Sequence, residues 1–257
     1  MTKIHPNSII SSKAEIDIEV EIGPFCVIDD DVKIMKGCKL YNSVSIFNGA
    51  RIGENNIIFP GTVISALPQD IKFDGGFSEV FIGNNNTFRE FVSINRGTHA
   101  TNKTIIGNNC LLMANSHVGH DSRVGNNCII ANSVGLGGHV HMEDFVIIGG
   151  LVGIHQFVSV GKHSMIGALS MVAKDVPPYT LFSGNPLNYE GLNVIGLRRR
   201  GFSGESITLL KTIYTLLYSS GLNVSQAVNK IKNEFKLENE VAEVINFIAK
   251  SRRGLSK

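Results

Sequence analysis

The sequence predicts a mainly β protein: a parallel β-helix of hexapeptide repeats over residues 1–190, followed by a C-terminal α-helical domain over 191–257. Three observations carry this reading. A large apolar residue recurs every sixth position from Ile4 to Val172, and only Asp70, Gly76 and Ala100 break a series of 29 positions. The residue four places later is usually small or β-branched, as in Ser8, Ala14, Val20, Val44, Ala50, Val92, Val134 and Val152. Beyond Ser203 this period gives way to helical stripes. Neither the period of a helix nor the alternation of a simple strand selects every sixth residue.

Three short strands and three corners make one triangular coil of 18 residues, so residues 18 apart are expected to stack. With a rise of ~4.8 Å per coil, the hexads predict nearly ten coils in a prism about 45 Å long. Glycine often follows the apolar residue, at 23, 53, 83, 107, 119, 125, 137, 149, 161 and 167, which predicts corners with unusual φ. Cys26, Cys38, Cys110 and Cys128 all occupy the small-residue slot and read as buried apolar groups, with no redox or metal role. Two segments leave the pattern without losing its phase, at 66–80 and 98–104, and are expected to be external loops. Loops on a rigid scaffold are where binding groups collect.

Val176-Pro177-Pro178-Tyr179 is expected to end the repeat, because proline cannot donate to a ladder. Three amphipathic stripes follow. The first holds Ile207, Leu210, Tyr214, Leu217 and Tyr218, the second Ala227, Val228, Ile231 and Phe235, and the third Val241, Val244, Ile245 and Ile248.

The 24 basic and 22 acidic residues give a net charge of +2, too balanced for a general nucleic-acid binder. That balance hides a division: residues 1–190 carry −4 and residues 191–257 carry +6. The run Arg198-Arg199-Arg200 suits a phosphate or an acidic partner. No cationic-apolar leader and no uninterrupted apolar run of about 18 residues is present, so a cytoplasmic protein without an integral membrane segment is expected.

Five of the eight histidines fall between 117 and 155. Stacking by 18 places Gly138 over His120, His139 over Asp121, and His155 over Gly137 and Gly119. A histidine beneath a bare glycine backbone has room for substrate, which suggests a general base beside an oxyanion donor. Zinc competes for the same histidines. The hexapeptide carbonic anhydrases resemble this architecture, yet their paired ligands lie five apart on one coil, whereas His117 and His120 are three apart. His139 and His141 share a strand parity without an evident third ligand, so no metal set is assigned.

Longer motifs are more specific. Asn115-Ser-His117-Val-Gly-His120-Asp121, Leu136-Gly-Gly138-His139-Val and Gly149-Gly-Leu-Val-Gly-Ile-His155-Gln156-Phe157 strongly resemble the UDP-N-acetylglucosamine 3-O-acyltransferases of lipid A biosynthesis. Pro68-Gln-Asp70-Ile-Lys72, Asn95-Arg96-Gly97-Thr98, Asp175-Val-Pro-Pro-Tyr179 and Arg199-Arg200-Gly201-Phe202 extend the match over essentially the whole chain.

The resemblance implies a left-handed coil and a homotrimer with active sites between neighbouring β-helices. It implies His120 as catalytic base with Asp121 beside it, and the Gly138 N–H as oxyanion donor. Asp70, Lys72, His117, His139, His155, Gln156, Asn193, Arg199 and, in the same basic run, Arg200 match or adjoin positions used for the UDP-sugar or the acyl-phosphopantetheine arm. Acyl carrier protein is the implied partner, delivering its chain as co-substrate to UDP-N-acetylglucosamine or a 3-amino analogue, with no metal or bound cofactor. Ala168 stands where some relatives have glycine at the end of the acyl groove, which suggests shorter chains. Ile195 and Asn95 depart from residues common in relatives at the nucleotide and sugar sites. The rival N-acyltransferase of the same pathway has an added N-terminal domain, for which a repeat starting at Ile4 leaves no space. Acetyl-CoA-dependent hexapeptide transferases and a structural β-helix are the remaining alternatives.

Overall fold

A computed structural model describes residues 2–257. Its core is a left-handed parallel β-helix whose strands, mostly two residues long, form three parallel sheets. Face 1 contains Lys3–Ile4 and the strands stacked above it, face 2 begins with Ile9–Ile10, and face 3 with Glu15–Ile16. The sixth-position residues point inward and are buried from Ile22 to Val172. They form one continuous apolar column with the small-slot residues. The cysteines lie within it, and their thiols donate to carbonyls of the next coil, as Cys26 Sγ does to Tyr41 O at 3.0 Å. Ser122 makes the equivalent bond to Gly137 O at 3.1 Å, which explains why Ser and Cys share this slot.

The coil count is nearer nine than ten, since face 2 has nine strands and face 3 has eight. The reason is the two interruptions: they consume hexads without adding strands. Ile58 therefore pairs with Phe88, and Ile94 with Val118, whereas the usual step of 18 returns at His117 and Gly135.

The glycine expectation is corrected. Positive φ falls three residues after the core aliphatic, on non-glycine residues such as Phe25, Asn127, His139 and Leu151. The glycine directly after the aliphatic has ordinary φ and is required by close stacking instead. A Cβ at Gly149 would lie 2.5 Å from the Ala168 backbone nitrogen, and one at Gly107 would lie 2.6 Å from the Gly125 carbonyl oxygen.

At the prolines the repeat ends as expected, its step of 18 lost where Val160 pairs with Val176 and Ile166 with Phe182, but the solenoid itself continues. Val176 still bridges to Val160, and Thr180–Ser183 adds a parallel strand beside Met165–Ile166. The termination comes one step later, when Asn188–Leu192 folds back antiparallel on Thr180–Ser183.

Four helices follow: α1 (Val194–Arg199), α2 (Gly204–Tyr218), α3 (Val224–Glu234) and α4 (Asn239–Lys250). The short α1 escapes the stripe pattern, because six residues give too little periodicity. Ser203 caps α2, and Asn223 with Gln226 forms a capping box on α3. Ile207, Leu210, Tyr214, Ala227, Ile231, Val241 and Val244 build a second buried cluster. Glu243 of α4 binds both Lys162 and Tyr179, and Tyr214 Oη donates to Pro178 O at 2.5 Å, so the helices are fastened to the upper coils. None of the described helices is long and apolar enough to cross a membrane.

Candidate active site

The corner between faces 2 and 3 gathers the predicted chemistry. His120 and Asp121 follow the strand His117–Val118, and Gly138 and His139 follow Gly135–Leu136 one coil higher. Both interruptions leave the prism at this same corner, on the two coils below: 66–80 lies between Val63–Ala66 and Glu79–Ile82, and 98–104 follows Ser93–Asn95. The six-residue phase kept by each loop is what returns the chain to this corner.

Asp121 is the most constrained group of the site, with a fully buried side chain. Its Oδ2 lies 2.7 Å from His120 Nδ1 and accepts from the Thr98 N–H at 3.0 Å and the Thr98 hydroxyl at 2.7 Å. Its Oδ1 accepts from the Thr101 hydroxyl and, at 3.2 Å, from the Thr101 N–H. Burial works to raise this carboxyl, but the hydrogen bonds from Thr101, His120 and Thr98 outweigh it and hold the group below the usual carboxylate range. An ionised Asp121 accepts from Nδ1–H, which leaves the His120 Nε2 lone pair free.

Nε2 faces Gly138. A Cβ built on Gly138 would sit 2.6 Å from His120 Nε2 and Cε1, so only glycine leaves the space open. Among the described residues the Gly138 N–H has no hydrogen-bond partner, while its carbonyl accepts from Phe157 N–H at 3.1 Å. An unspent donor beside an unspent imidazole nitrogen is the arrangement acyl transfer requires.

The neighbouring histidines serve different ends. His139 packs edge-on against His120, with ring centroids 5.1 Å apart, and stacks on Phe157 at 4.4 Å. Burial lowers its pKa most, against the opposing charges of Asp121 and, more weakly, Asp70. His117 Nδ1 meets Ser93 Oγ at 2.8 Å, and burial, with the His120 charge, keeps His117 neutral to lower pH than usual. His155 and Gln156 are exposed at the same corner above Gly137 and Gly138. His139 lies in the corner and His141 in a strand of face 3, so the shared strand parity expected for them does not exist.

His120, Asp121 and His139 place ligand atoms within 4.8 Å of one another, the one group of metal-ligating type found among the described residues. The donor set fits a cation poorly: Asp121 Oδ2 already receives both Thr98 donors and faces His120 Nδ1.

The remaining predicted residues divide. Asp70 and Lys72 sit on the 66–80 loop, where the Lys72 N–H donates to Asp70 Oδ1 at 3.0 Å. Ala168 is exposed on the corner between faces 1 and 2, away from His120. Asn193 is buried, capping α1 and donating to His163 O at 2.9 Å. Arg199 is exposed at the end of α1, and Arg200 lies over the Phe145 ring at 5.2 Å. Thr98 and Thr101, which hold Asp121, are the residues of this corner that periodicity could not reveal; the break at 98–104 was the available signal.

A family model described as UDP-N-acetylglucosamine O-acyltransferase, domain 2, matches residues 175–256, and one described as bacterial transferase hexapeptide matches 103–138. The chain is 47% identical, over the full length of both proteins, to the acyl-(acyl-carrier-protein)–UDP-N-acetylglucosamine O-acyltransferase of Thermodesulfovibrio yellowstonii. It is 51% identical to the enzyme of the same name from Chlorobaculum parvum, over 99% of this chain and 97% of that one. The solved UDP-N-acetylglucosamine acyltransferase of Bacteroides fragilis superposes with a TM-score of 0.97 at 45% identity, covering 99% of this chain and all of the other.

Proposed function

The chain belongs to the UDP-N-acetylglucosamine O-acyltransferase family, and on that premise we propose how its own residues carry out the transfer. The reaction moves an acyl chain from acyl carrier protein to the 3-position of UDP-N-acetylglucosamine, the first step of lipid A biosynthesis. In the proposed mechanism His120 Nε2 takes the proton of the sugar 3-hydroxyl as that oxygen attacks the thioester carbonyl. The carbonyl oxygen becomes an oxyanion and receives the Gly138 N–H. Collapse of the tetrahedral intermediate breaks the C–S bond, and His120 returns the proton to the departing thiolate. Asp121 holds Nδ1–H and balances the imidazolium charge between these two steps. No metal or bound cofactor has a part in this scheme.

The observation that carries the reading is the alignment of a buried, donor-saturated Asp121, His120, and a glycine whose N–H is unspent.

A homotrimer follows as part of the proposal. Ala168 and His120 stand on different corners of one prism, so a site using both needs two copies of the chain. Phe25, Phe91, Leu151 and Leu169 line the corner of Ala168 and are each more than 60% exposed. A stack of bulky apolar residues in the left-handed region is an interface signature. The helical domain, taken as 191–257, supplies Arg198 for an acidic carrier protein, and a neighbour's Arg199 and Arg200 would serve the nucleotide. Asn193, its amide spent on the Gly196 N–H and His163 O, would hold α1 in place for them. The proposal places the reaction in the cytoplasm.

The test is a rate measurement on purified protein with acylated carriers of several chain lengths, offering UDP-N-acetylglucosamine, its 3-amino analogue, or acetyl-CoA as alternative donor. The expected result is carrier-dependent acylation at the 3-hydroxyl, with an optimum below the longest chains. Transfer from acetyl-CoA but not from the carrier overturns the assignment of donor, and an optimum at the longest chains overturns the role of Ala168.

A further inference from the structure

The two external loops are joined by residues 95–99, and this one segment holds the longer loop at its entry, near its tip and at its exit. At its entry, Asn95 Nδ2 donates to Leu67 O at 2.8 Å and Arg96 N–H to Ala66 O at 2.9 Å. At its exit, Gly97 N–H reaches Glu79 O at 3.4 Å. Near its tip, the Arg96 guanidinium lies 5.9 Å from the Phe73 ring centre, and His99 Nε2 meets Asp74 Oδ1 at 2.6 Å. Gly76 lies against the His99 ring so closely that a Cβ there would collide with it. Arg96 is itself braced from below, through Nη1 to Asn48 O at 3.2 Å.

The same segment continues into Thr98 and Thr101, which hold Asp121. The chain therefore connects the loop carrying Asp70 and Lys72 to the carboxylate that orients His120 through seven residues, 95–101. Gly97 permits this sharp path, because a Cβ there would meet the Lys103 backbone.

We propose that Arg96, with Asn95 and His99, is a positioning element for the acceptor sugar: it fixes the 66–80 loop at the height of His120, so that Asp70 and Lys72 address the sugar while Nε2 addresses its hydroxyl. This rests on the acyltransferase reading above. Arg96 reaches Ala66, Asn48 and Phe73 rather than His120, and acts through the loop. Lysine cannot reproduce the role fully, because a single ammonium does not reach Asn48 O and cover Phe73 at once.

The experiment compares wild type with Arg96→Ala, Arg96→Lys, His99→Ala and Lys72→Ala, and with the double variant of Arg96→Ala and Lys72→Ala. Each KM and kcat is measured for both substrates. Wild-type turnover tests the underlying reading separately, since its absence removes that reading before any variant is considered. Arg96→Ala is expected to raise the KM for UDP-N-acetylglucosamine by about tenfold or more, leaving the KM for the acylated carrier within about twofold. Arg96→Lys should recover part of the loss. The double variant should be little worse than Lys72→Ala alone, because both act through one loop. Wild-type kinetics in Arg96→Ala, or additive losses in the double variant, overturn the proposal. If Arg96→Ala fails to fold, His99→Ala decides: its exposed side chain can be removed without opening the core, and an unchanged acceptor KM in that variant also overturns it.

Discussion

Adding one methyl group at Gly138 tests the catalytic geometry with little disturbance to the fold. The residue sits at a half-buried corner with ordinary φ, so alanine is conformationally acceptable there. The new Cβ would stand 2.6 Å from His120 Nε2 and Cε1, whereas ordinary contact begins at 3.4 Å. The imidazole must therefore move by about 0.8 Å, or its contact with Asp121 must distort. A misplacement near 1 Å costs on the order of 100-fold in rate. The methyl also occupies the space where the oxyanion would approach the Gly138 N–H. Initial rates of acyl transfer by Gly138→Ala should show kcat and kcat/KM falling together, by about 100-fold or more, as expected for an interaction made in the transition state. Unfolding curves should stay close to wild type. A folded Gly138→Ala protein with kcat within about threefold of wild type would refute this geometry.

Asp121→Asn keeps the shape of the site but presents an NH₂ group at Oδ2, where three donors now converge. His120 is then driven toward the wrong tautomer, and a loss of about 10³–10⁴ in kcat is expected from steady-state rates. His163 gives a pH dependence. Burial, reinforced by Arg200 and Lys162 and opposed by Asp144, pushes its pKa down to about 4. The unfolded chain protonates this group near pH 6.5 and the folded chain does not. Its stabilising contribution is therefore full above about pH 6.5 and is lost progressively toward pH 4, by an amount on the order of 3 kcal/mol. His163→Phe, which keeps the stack between Phe145 and Tyr179, should flatten this part of the melting-temperature profile. The stacking role of glycine is tested by adjacent residues: Gly149→Ala should cost about 2 kcal/mol or more in denaturant titrations, while Gly150→Ala, with its nearest contact at 3.4 Å, should cost little.

The solenoid was legible because one side chain in six must fill a narrow column, and the chain repeats that demand from Ile22 to Val172 without a gap in burial outside the loops. The pairing of His120 with Gly138 was legible for the same reason, since a constant step of 18 is a geometric statement. Glycine misled because two different constraints, positive φ and close stacking, select the same residue. The polar ladder at the corner between faces 3 and 1 left no readable signal beyond many asparagines. There Asn108 Oδ1 accepts from the Asn84 N–H at 2.7 Å, and Asn126 Oδ1 from the Asn108 N–H at 2.9 Å. Thr98 and Thr101 were hidden because they reach Asp121 through an irregular loop, where spacing carries no geometry. Asn193 came from motif resemblance alone and Arg200 from the arginine run as well, and within one chain they lie apart from His120, at the junction of the solenoid with the helices.

The central claim is that His120 is the base, and His120→Ala tests it most directly. With the oligomeric state and the unfolding transition unchanged, transfer from acylated carrier protein to UDP-N-acetylglucosamine should fall by about 10²–10⁴ at saturating substrate. Unaltered transfer by the folded variant would contradict the account.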